Sequence, residues 1–138
     1  MRPSRPRPAL ALAAALLVAL AAKAFVVDAA VVDGRSMLPG LKPGAVVLVL
    51  RCAYGLRLPS GDGYLLRWGA PRIGDVVAAS SPRDGRPVVK RVASILVPEA
   101  YVLLGDNPPE SVDSRSYGPV APGAIRGRVL FAGKAVLP

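Results

Sequence analysis

The chain has 138 residues, a formal net charge of +9, one cysteine and no histidine. This length fits one domain, and the missing histidine excludes Ser-His-Asp and Cys-His mechanisms together with nearly every zinc site. Any hydrolytic chemistry must therefore use Lys, Asp or Glu as its base, and we expect neither a metal nor a cofactor. Because the arginines are dispersed and aromatic residues are few, attraction to anionic lipid headgroups explains the charge at least as well as nucleic-acid binding, which we do not expect.

The N-terminal segment predicts a membrane anchor. Residues 1–8 are basic and proline-rich, as in a cytoplasmic tail, and residues 9–27 are apolar apart from Lys23. About twenty apolar residues cross a bilayer, and a lysine near the end can extend its ammonium to the headgroups. The basic tail would keep the N-terminus in the cytoplasm and place residues 28–138 outside the cell membrane. A cleaved signal peptide has a similar basic start and apolar stretch, so that alternative stays open.

The rest of the chain predicts a small, mainly β domain with mostly antiparallel strands. Fifteen prolines and fourteen glycines in the chain indicate many turns and few long helices. Short apolar runs bounded by turn residues predict strands at Ala45–Leu50, Val76–Ala79, Pro87–Val92, Tyr101–Leu104 and Arg128–Phe131. The irregular stretch at 51–73 predicts a loop or an excursion hairpin.

Ser36 lies in the segment Asp33-Gly-Arg-Ser-Met-Leu-Pro-Gly40. Gly34 allows backbone angles that other residues avoid, and Pro39 fixes the chain after the serine. A serine between such constraints can be exposed at a sharp bend, as a nucleophile must be. From these residues alone, an ordinary turn serine is the simpler interpretation.

Lys90 makes the nucleophile interpretation stronger. It lies in a predicted strand, and strand alternation places it on the same face as Val88 and Val92. Burial among valines would lower the pKa of the lysine and leave a neutral amine that can accept a proton from a serine hydroxyl. The alternative is that Lys90 extends to the surface and that Arg91 faces solvent.

A third group of polar residues lies between Gly105 and Gly118, in the sequence Gly-Asp-Asn-Pro-Pro-Glu-Ser-Val-Asp-Ser-Arg-Ser-Tyr-Gly. It combines turn-forming residues with carboxylates, hydroxyls and an arginine. Asp113 and Arg115 could pair with each other or with neighbouring strands. Taken alone, the segment would be a surface loop with Asx turns.

Taken in order, these motifs resemble those of bacterial signal peptidase I, the serine–lysine peptidase family S26, in a compact form. The resemblance extends from about residue 9 to residue 130, behind a hydrophobic anchor. It is carried by the motifs Ser36-Met-Leu-Pro, Gly74-Asp-Val-Val, Lys90-Arg-Val and the segment from Gly105 to Gly118. The serine motif alone is weak, and the four motifs in order are specific.

The resemblance implies that Ser36 attacks the scissile carbonyl while Lys90 takes its proton and later returns it to the leaving amine. The backbone N–H of Ser36 would help to bind the oxyanion, Ser111 would hydrogen-bond and orient the lysine, and Asp113, Arg115 and Asp106 would support the loop. The implied substrates are secreted preproteins with small residues at positions −1 and −3, cleaved at the bilayer by a monomer without metal or cofactor.

Three departures from the family pattern bear on activity. Gly34 stands where some members have a serine that supplies a second oxyanion donor, Gly40 replaces the usual threonine, and only fifteen residues separate Lys90 from Gly105. The alternatives are a maturation peptidase of the same superfamily with one or a few dedicated precursors, and a membrane-tethered β module that has lost activity. Self-cleaving repressors also use Ser and Lys, but they are cytoplasmic and the anchor disfavours them.

Overall fold

The computed structural model describes residues 8–58, 63–97 and 99–133. It contains an N-terminal helix followed by strands, as the sequence predicts. The order is α1 Pro8–Phe25, β1 Val27–Val31, β2 Val46–Leu50, β3 Gly55–Leu56, β4 Leu66–Arg67, β5 Val76–Ser80, β6 Pro87–Leu96, β7 Ala100–Leu104, α2 Ser114–Tyr117 and β8 Ile125–Gly133, with 3₁₀ turns at Pro108–Glu110 and Pro122–Ala124.

Helix α1 is apolar on all sides, and none of its side chains is buried against the rest of the protein. It is the one helix in the described part of the chain that is long and apolar enough to cross a membrane. A helix that is hydrophobic all round is typical of a buried core or of a membrane span, and the described part of this domain does not cover α1. Its end differs from the predicted boundary at residue 27, because Val27 pairs with Leu50 and begins β1.

The six longer strands form one sheet in the order β1-β2-β8-β5-β6-β7. Every adjacent pair is antiparallel. The predicted fold class, a mainly antiparallel β domain behind an apolar helix, is therefore confirmed. Strands β6 and β8 are longer than predicted, and β1 was not predicted as a strand, since its sequence Val-Asp-Ala-Ala-Val continues the apolar composition of the helix.

The predicted excursion between β2 and β5 contains the short hairpin strands β3 and β4, which pair with each other. Gly55 in β3 packs so closely on β4 that a Cβ there would overlap Leu66 O and Tyr64. Arg57, also in the excursion, is buried, and its guanidinium donates to the carbonyls of Gly123 and Ile125. The excursion is therefore fixed to the start of β8.

Two apolar clusters form the core. The Leu103 cluster contains Tyr54, Val77, Ala79, Val92, Tyr101, Leu103, Val120 and Ile125. The Met37 cluster contains Val32, Met37, Leu41, Val47 and Val49. Met37 is 1% exposed and directly follows Ser36, so its burial holds the serine segment against the sheet. The Met37 cluster thus positions the first candidate site residue.

Candidate functional site

The candidate site forms where the serine segment passes beside β6. Nζ of Lys90 lies 2.8 Å from Oγ of Ser36, at hydrogen-bond distance, although 54 residues separate the two in sequence. Ser36 is half-buried and Lys90 is 4% exposed. The structure therefore brings together the two residues for which nucleophile and base roles were predicted.

Strand register explains the position of Lys90. Within β6, Lys90 and Val92 are both buried, while Val89 and Arg91 on the other face are only partly covered. Lys90 is paired with the fully buried Val77 of β5. Because burial disfavours the ammonium, the pKa of Lys90 lies below its ordinary value; the charge of Asp113 acts in the opposite direction, and that of Arg115 adds to the lowering.

The backbone around Ser36 leaves one donor available. In the described part of the chain, the Ser36 N–H donates to no protein acceptor, whereas the Ser36 carbonyl accepts the backbone N–H of Asn107 at 2.8 Å. Gly34, two residues earlier, adopts a φ of 84°, a left-handed conformation that favours glycine. An unpaired N–H beside a serine hydroxyl can bind an oxyanion that forms on a carbonyl attacked by that serine.

Asn107 is a site residue that the sequence analysis missed. Its backbone N–H binds the Ser36 carbonyl, and its side-chain amide donates to the Arg35 carbonyl at 3.0 Å. Two successive carbonyls of the serine segment are thus held by one residue of the loop after β7. The sequence signal for Asn107 is its place in the motif Gly105-Asp-Asn107, in which only Asp106 was expected to have a supporting role.

Gly105 permits this close approach. A Cβ at position 105 would lie 2.6 Å from the Ser36 carbonyl oxygen and would overlap the Ser111 side chain. Real Cβ atoms do not come so close to backbone oxygens, so any larger residue would move the serine segment. Gly105 therefore sets the spacing between the Ser36 segment and the Ser111 loop.

Ser111 lies near the pair, but its hydroxyl donates to Asp113 at 2.6 Å. Among the described residues, no hydrogen bond joins Ser111 to Lys90, whose ammonium is bonded to Ser36 instead. The predicted orientation of the lysine by a direct Ser111 contact stays a prediction. Asp113, which accepts the Ser111 hydroxyl, is also the group whose charge raises the pKa of Lys90.

Asp113 is fully buried and accepts several hydrogen bonds. The donors are the Gly105 N–H at 2.9 Å, the Ser111 hydroxyl, and the backbone and side chain of Arg115, whose Nε lies 2.9 Å from Oδ1. Burial alone would raise the pKa of Asp113, but these donors outweigh it and hold the pKa well below its usual range. The carboxylate is therefore a fixed negative charge beneath the site.

Asp106 has a different partner. The Arg91 guanidinium binds both of its carboxylate oxygens at 2.8 Å, and Nη1 of the same arginine donates to the Gly74 carbonyl at 2.9 Å. Arg91 thus connects β6 to the loop after β7 and to the turn before β5, so it is not a free solvent-facing residue. A Cβ on Gly40 would lie 3.0 Å from the Asp106 carboxylate, so the glycine leaves room for this pair.

An open cavity of about 350 Å³ adjoins Ser36 and Lys90. One wall comes from the end of β1 and the segment after it, and the other from β5 and β6. The lining is mostly small and aliphatic: Ala30, Val31, Val32, Ala78, Val88 and Val89, with Met37 and Pro87. Such a groove can hold an extended chain with small apolar side chains against the serine hydroxyl. The described residues include no group of His, Cys, Asp and Glu that could hold a metal ion.

A serine hydroxyl bonded to a buried lysine is the arrangement that a serine–lysine hydrolase requires. The sequence matches the family described as signal peptidase, peptidase S26 over residues 7–96. The chain belongs to this family, which confirms the resemblance inferred from its motifs.

Individual relatives come from two groups. The chain is 33% identical over 130 residues to the mitochondrial ATP-independent inner membrane protease subunit 1a of Arabidopsis thaliana, covering 78% of this chain and 70% of that protein. It is 31% identical over 116 residues to the mitochondrial inner membrane protease subunit 1 of Schizosaccharomyces pombe, covering 71% and 68%. With signal peptidase I of Pseudomonas fluorescens it shares 33% identity over 81 residues, 58% of this chain and 28% of that enzyme.

Proposed function

We propose that this chain is a membrane-tethered serine endopeptidase in which Ser36 is the nucleophile and Lys90 the general base. The observation that carries the proposal is the 2.8 Å contact between Nζ of a buried lysine and Oγ of Ser36. A lysine whose pKa is lowered by burial is neutral more often than a free lysine and can then accept the hydroxyl proton.

The reaction follows from this contact. As Oγ of Ser36 bonds to the scissile carbonyl carbon, the serine proton passes to Nζ of Lys90, and the carbonyl oxygen becomes an oxyanion near the free Ser36 N–H. Collapse breaks the C–N bond, and Lys90 returns the proton to the leaving amine. Water then attacks the acyl-enzyme, with Lys90 again taking and returning a proton. Removal of one hydrogen-bond donor to the oxyanion typically costs about 3 kcal/mol of transition-state stabilisation.

The substrates that we propose are N-terminal signal peptides of secreted preproteins, with small residues at positions −1 and −3. The aliphatic lining of the groove supports this choice, since apolar side chains of a substrate can pack against Ala30 and Ala78. The helix α1 supports a single-pass membrane anchor. The basic residues before it in the sequence support an N-terminus in the cytoplasm and a catalytic domain outside the cell membrane. We propose a monomer for the active form.

A second candidate is a maturation peptidase for one or a few dedicated precursors. It is favoured by the alignment with inner membrane protease subunit 1a, which spans 70% of that protein, against 28% for the bacterial signal peptidase I. Deletion of the gene would distinguish the two functions. General processing predicts that many uncleaved preproteins accumulate, and dedicated processing predicts that one or a few uncleaved precursors accumulate.

The first experiment is cleavage of a preprotein with an Ala-x-Ala site by the detergent-solubilised full chain. We expect cleavage after the final alanine by the wild type, and no cleavage by Ser36→Ala or Lys90→Ala. The exposed variant Lys42→Ala, on the turn before β2, is the matched lysine control and should cleave normally.

Each other outcome has a distinct meaning. Activity retained by Lys90→Ala would overturn the base assignment. A wild type that cleaves no preprotein, including candidate dedicated precursors, would favour the inactive β module.

A further inference from the structure

Besides Lys90, two charged side chains line the groove beside Ser36, and the proposed mechanism uses neither of them. Asp33 lies three residues before Ser36, near the catalytic end of the groove. Arg86 directly precedes β6. The rest of the lining is mainly aliphatic, so Asp33 and Arg86 determine which substrate charges the groove favours along its length.

Arg86 lies at the end of the groove away from Ser36. The residues of β6 that line the groove run from Pro87 to Lys90, and Arg86 extends this run by one position. At about 3.3 Å per residue of extended chain, the four residues from Lys90 to Arg86 cover about 13 Å. The groove therefore runs from the contact between Ser36 and Lys90 toward the N-terminal end of β6.

The backbone of Arg86 is fixed, while its side chain is available to a ligand. The Arg86 carbonyl accepts the Ser81 N–H at 2.8 Å, and the Arg86 N–H donates to the Asp84 carboxylate at 3.2 Å. The Arg86 side chain is 83% exposed, and its Nε lies 3.5 Å from the same carboxylate. Within the described ranges, its two Nη nitrogens donate no hydrogen bond to the protein. Because water screens such an exposed ion pair, a substrate carboxylate can replace Asp84 at little cost.

The length of the groove sets which substrate residue reaches Arg86. Under the proposed function, the small residues at positions −1 and −3 occupy the groove, so it holds the part of the chain that precedes the cut. Residue −1 lies at Ser36, and residue −5 lies four positions earlier, about 13 Å away in an extended chain. The side chains at −1, −3 and −5 point the same way, because side chains alternate along a strand. The side chain at −5 therefore enters the groove where Arg86 lies.

We propose that Arg86 is a specificity-determining residue that binds a carboxylate at position −5, so that the preferred precursors carry Asp or Glu five residues before the cut. A guanidinium presents its N–H donors in a planar fork that matches the two oxygens of a carboxylate. At the catalytic end, Asp33 disfavours a substrate carboxylate, since like charges repel each other. The inference rests on the proposed function, which gives the direction of the substrate in the groove.

The test compares quenched peptides that share an Ala-x-Ala site and differ in one charge. Position −5 is Glu, Gln or Lys, and a fourth peptide has Gln at −5 and Glu at −2, about 10 Å closer to the cut. We expect the wild type to cleave the Glu −5 peptide with a kcat/KM about fivefold above that of the Gln −5 peptide, through a lower KM at similar kcat. The advantage should shrink as salt is added, and Glu at −2 should give none.

Charge reversal distinguishes a direct contact from a folding effect. Arg86→Glu should prefer the Lys −5 peptide to the Glu −5 peptide, an order that a damaged protein would not produce. Arg83→Gln is the matched control, because Arg83 is exposed on the same turn and does not line the groove. It should retain the wild-type preference for Glu at −5.

Two results would overturn the proposal. One is an equal kcat/KM of the wild type for the Glu −5 and Gln −5 peptides. The other is a preference that persists in Arg86→Glu or disappears in Arg83→Gln, which would assign it to the overall charge of the protein.

Binding of the same peptides to Ser36→Ala, measured by fluorescence anisotropy, separates this inference from the proposed function. A lower Kd for the Glu −5 peptide that requires Arg86 would support the carboxylate site, even if the wild type cleaved no peptide and the proposed function failed. Cleavage of all the peptides without any preference would support the peptidase function and refute the role of Arg86.

Discussion

Two carboxylate–arginine pairs flank the candidate site, and they differ in burial. Asp113 is completely buried, and its partner Arg115 is 44% exposed. Asp106 is 20% exposed, and its partner Arg91 is 40% exposed. Asp113 also accepts bonds from the site loop itself, at Gly105 and Ser111, while Asp106 only connects β6 to the loop after β7.

The comparison shows which charge can tune the base. Asp113 raises the pKa of Lys90 and partly offsets the effect of burial, while Asp106 is not among the groups that shift it. An exposed ion pair contributes little to stability because water screens it. When a buried acceptor is removed, the donors around it are left without a hydrogen-bond partner, which costs stability. The two pairs therefore have similar chemistry but should differ in their effects on stability and on the pKa of Lys90.

The largest effect is expected for Asp113→Ala. It leaves the buried Gly105 N–H and the Ser111 hydroxyl without their acceptor, which should cost about 3 kcal/mol of unfolding free energy. Because Gly105 adjoins Ser36, cleavage should fall at least about a hundredfold. Thermal unfolding in detergent and kcat/KM on a quenched peptide measure both effects. A variant with wild-type stability would show that Asp113 is not structural.

The next largest effect is expected for Asn107→Ala, which frees the Arg35 carbonyl but keeps the backbone bond to Ser36. A looser serine segment should lower kcat about tenfold with little change in KM, since the groove is untouched. Asn107→Asp is the matched variant: it keeps the size but loses the amide donor, so it should not restore kcat. Recovery of wild-type kcat by Asn107→Asp would contradict the role of the amide.

The pH dependence of cleavage sharpens the comparison. Only neutral Lys90 accepts the serine proton, so kcat/KM should rise with pH through the folded-state pKa of Lys90, with a midpoint below the ordinary 10.5. Asp113→Asn removes a charge that raises this pKa, so the rising limb should move to lower pH. Asp106→Asn should not change the pH at which kcat/KM rises. An unmoved limb in Asp113→Asn would refute the coupling.

The same pKa gives a stability test with a defined sign. Because the pKa is lower in the folded state, the unfolded chain binds more protons between that value and 10.5, and stability rises with pH across this window. Lys90→Met lacks this rise. Thermal unfolding of both proteins across this pH window should therefore show that the stability of the wild type increases with pH relative to that of the variant. Parallel curves would indicate that Lys90 is not desolvated.

The smallest effect is expected for Asp106→Asn. Water can replace the carboxylate at the partly exposed Arg91, so the loss in unfolding free energy should be about 0.5 kcal/mol or less. Activity should change less than about threefold. A loss as large as that of Asp113→Ala would remove the distinction between the two pairs.

The sheet could be predicted from local apolar patterns, whereas the pairing of Ser36 with Lys90 was predicted from the four motifs in order. Alternation around Lys90 marks a lysine on an apolar face, and the constrained segment around Ser36 marks a bend. By contrast, the partners of Asn107 and Ser111 depend on how the loop after β7 meets the serine segment, 72 residues away in the case of Asn107 and Arg35. Such contacts are tertiary, and no local pattern encodes them.

The start of β1 was missed for a different reason. Val27 to Val31 has the apolar composition of an anchor, and only pairing with β2 makes it a strand. The Gly74-Asp75 motif contributed to the family resemblance, and its contacts in the structure stabilise the fold. Asp75 accepts the Tyr54 hydroxyl at 2.8 Å and lies 3.3 Å from Arg128; among the described residues, its side chain makes no hydrogen bond or ion pair with Ser36 or Lys90.

The short junction between α1 and β1 has a mechanical consequence. The helix ends at Phe25 and strand pairing begins at Val27, so no free linker separates the proposed anchor from the sheet. Eighteen helical residues span about 27 Å, slightly less than a hydrocarbon core of about 30 Å. Under the proposed anchoring, a thicker bilayer would pull on the helix and lower the whole sheet toward the lipid, bringing Ser36 with it. Bilayer thickness would then set the height at which a substrate chain is cut.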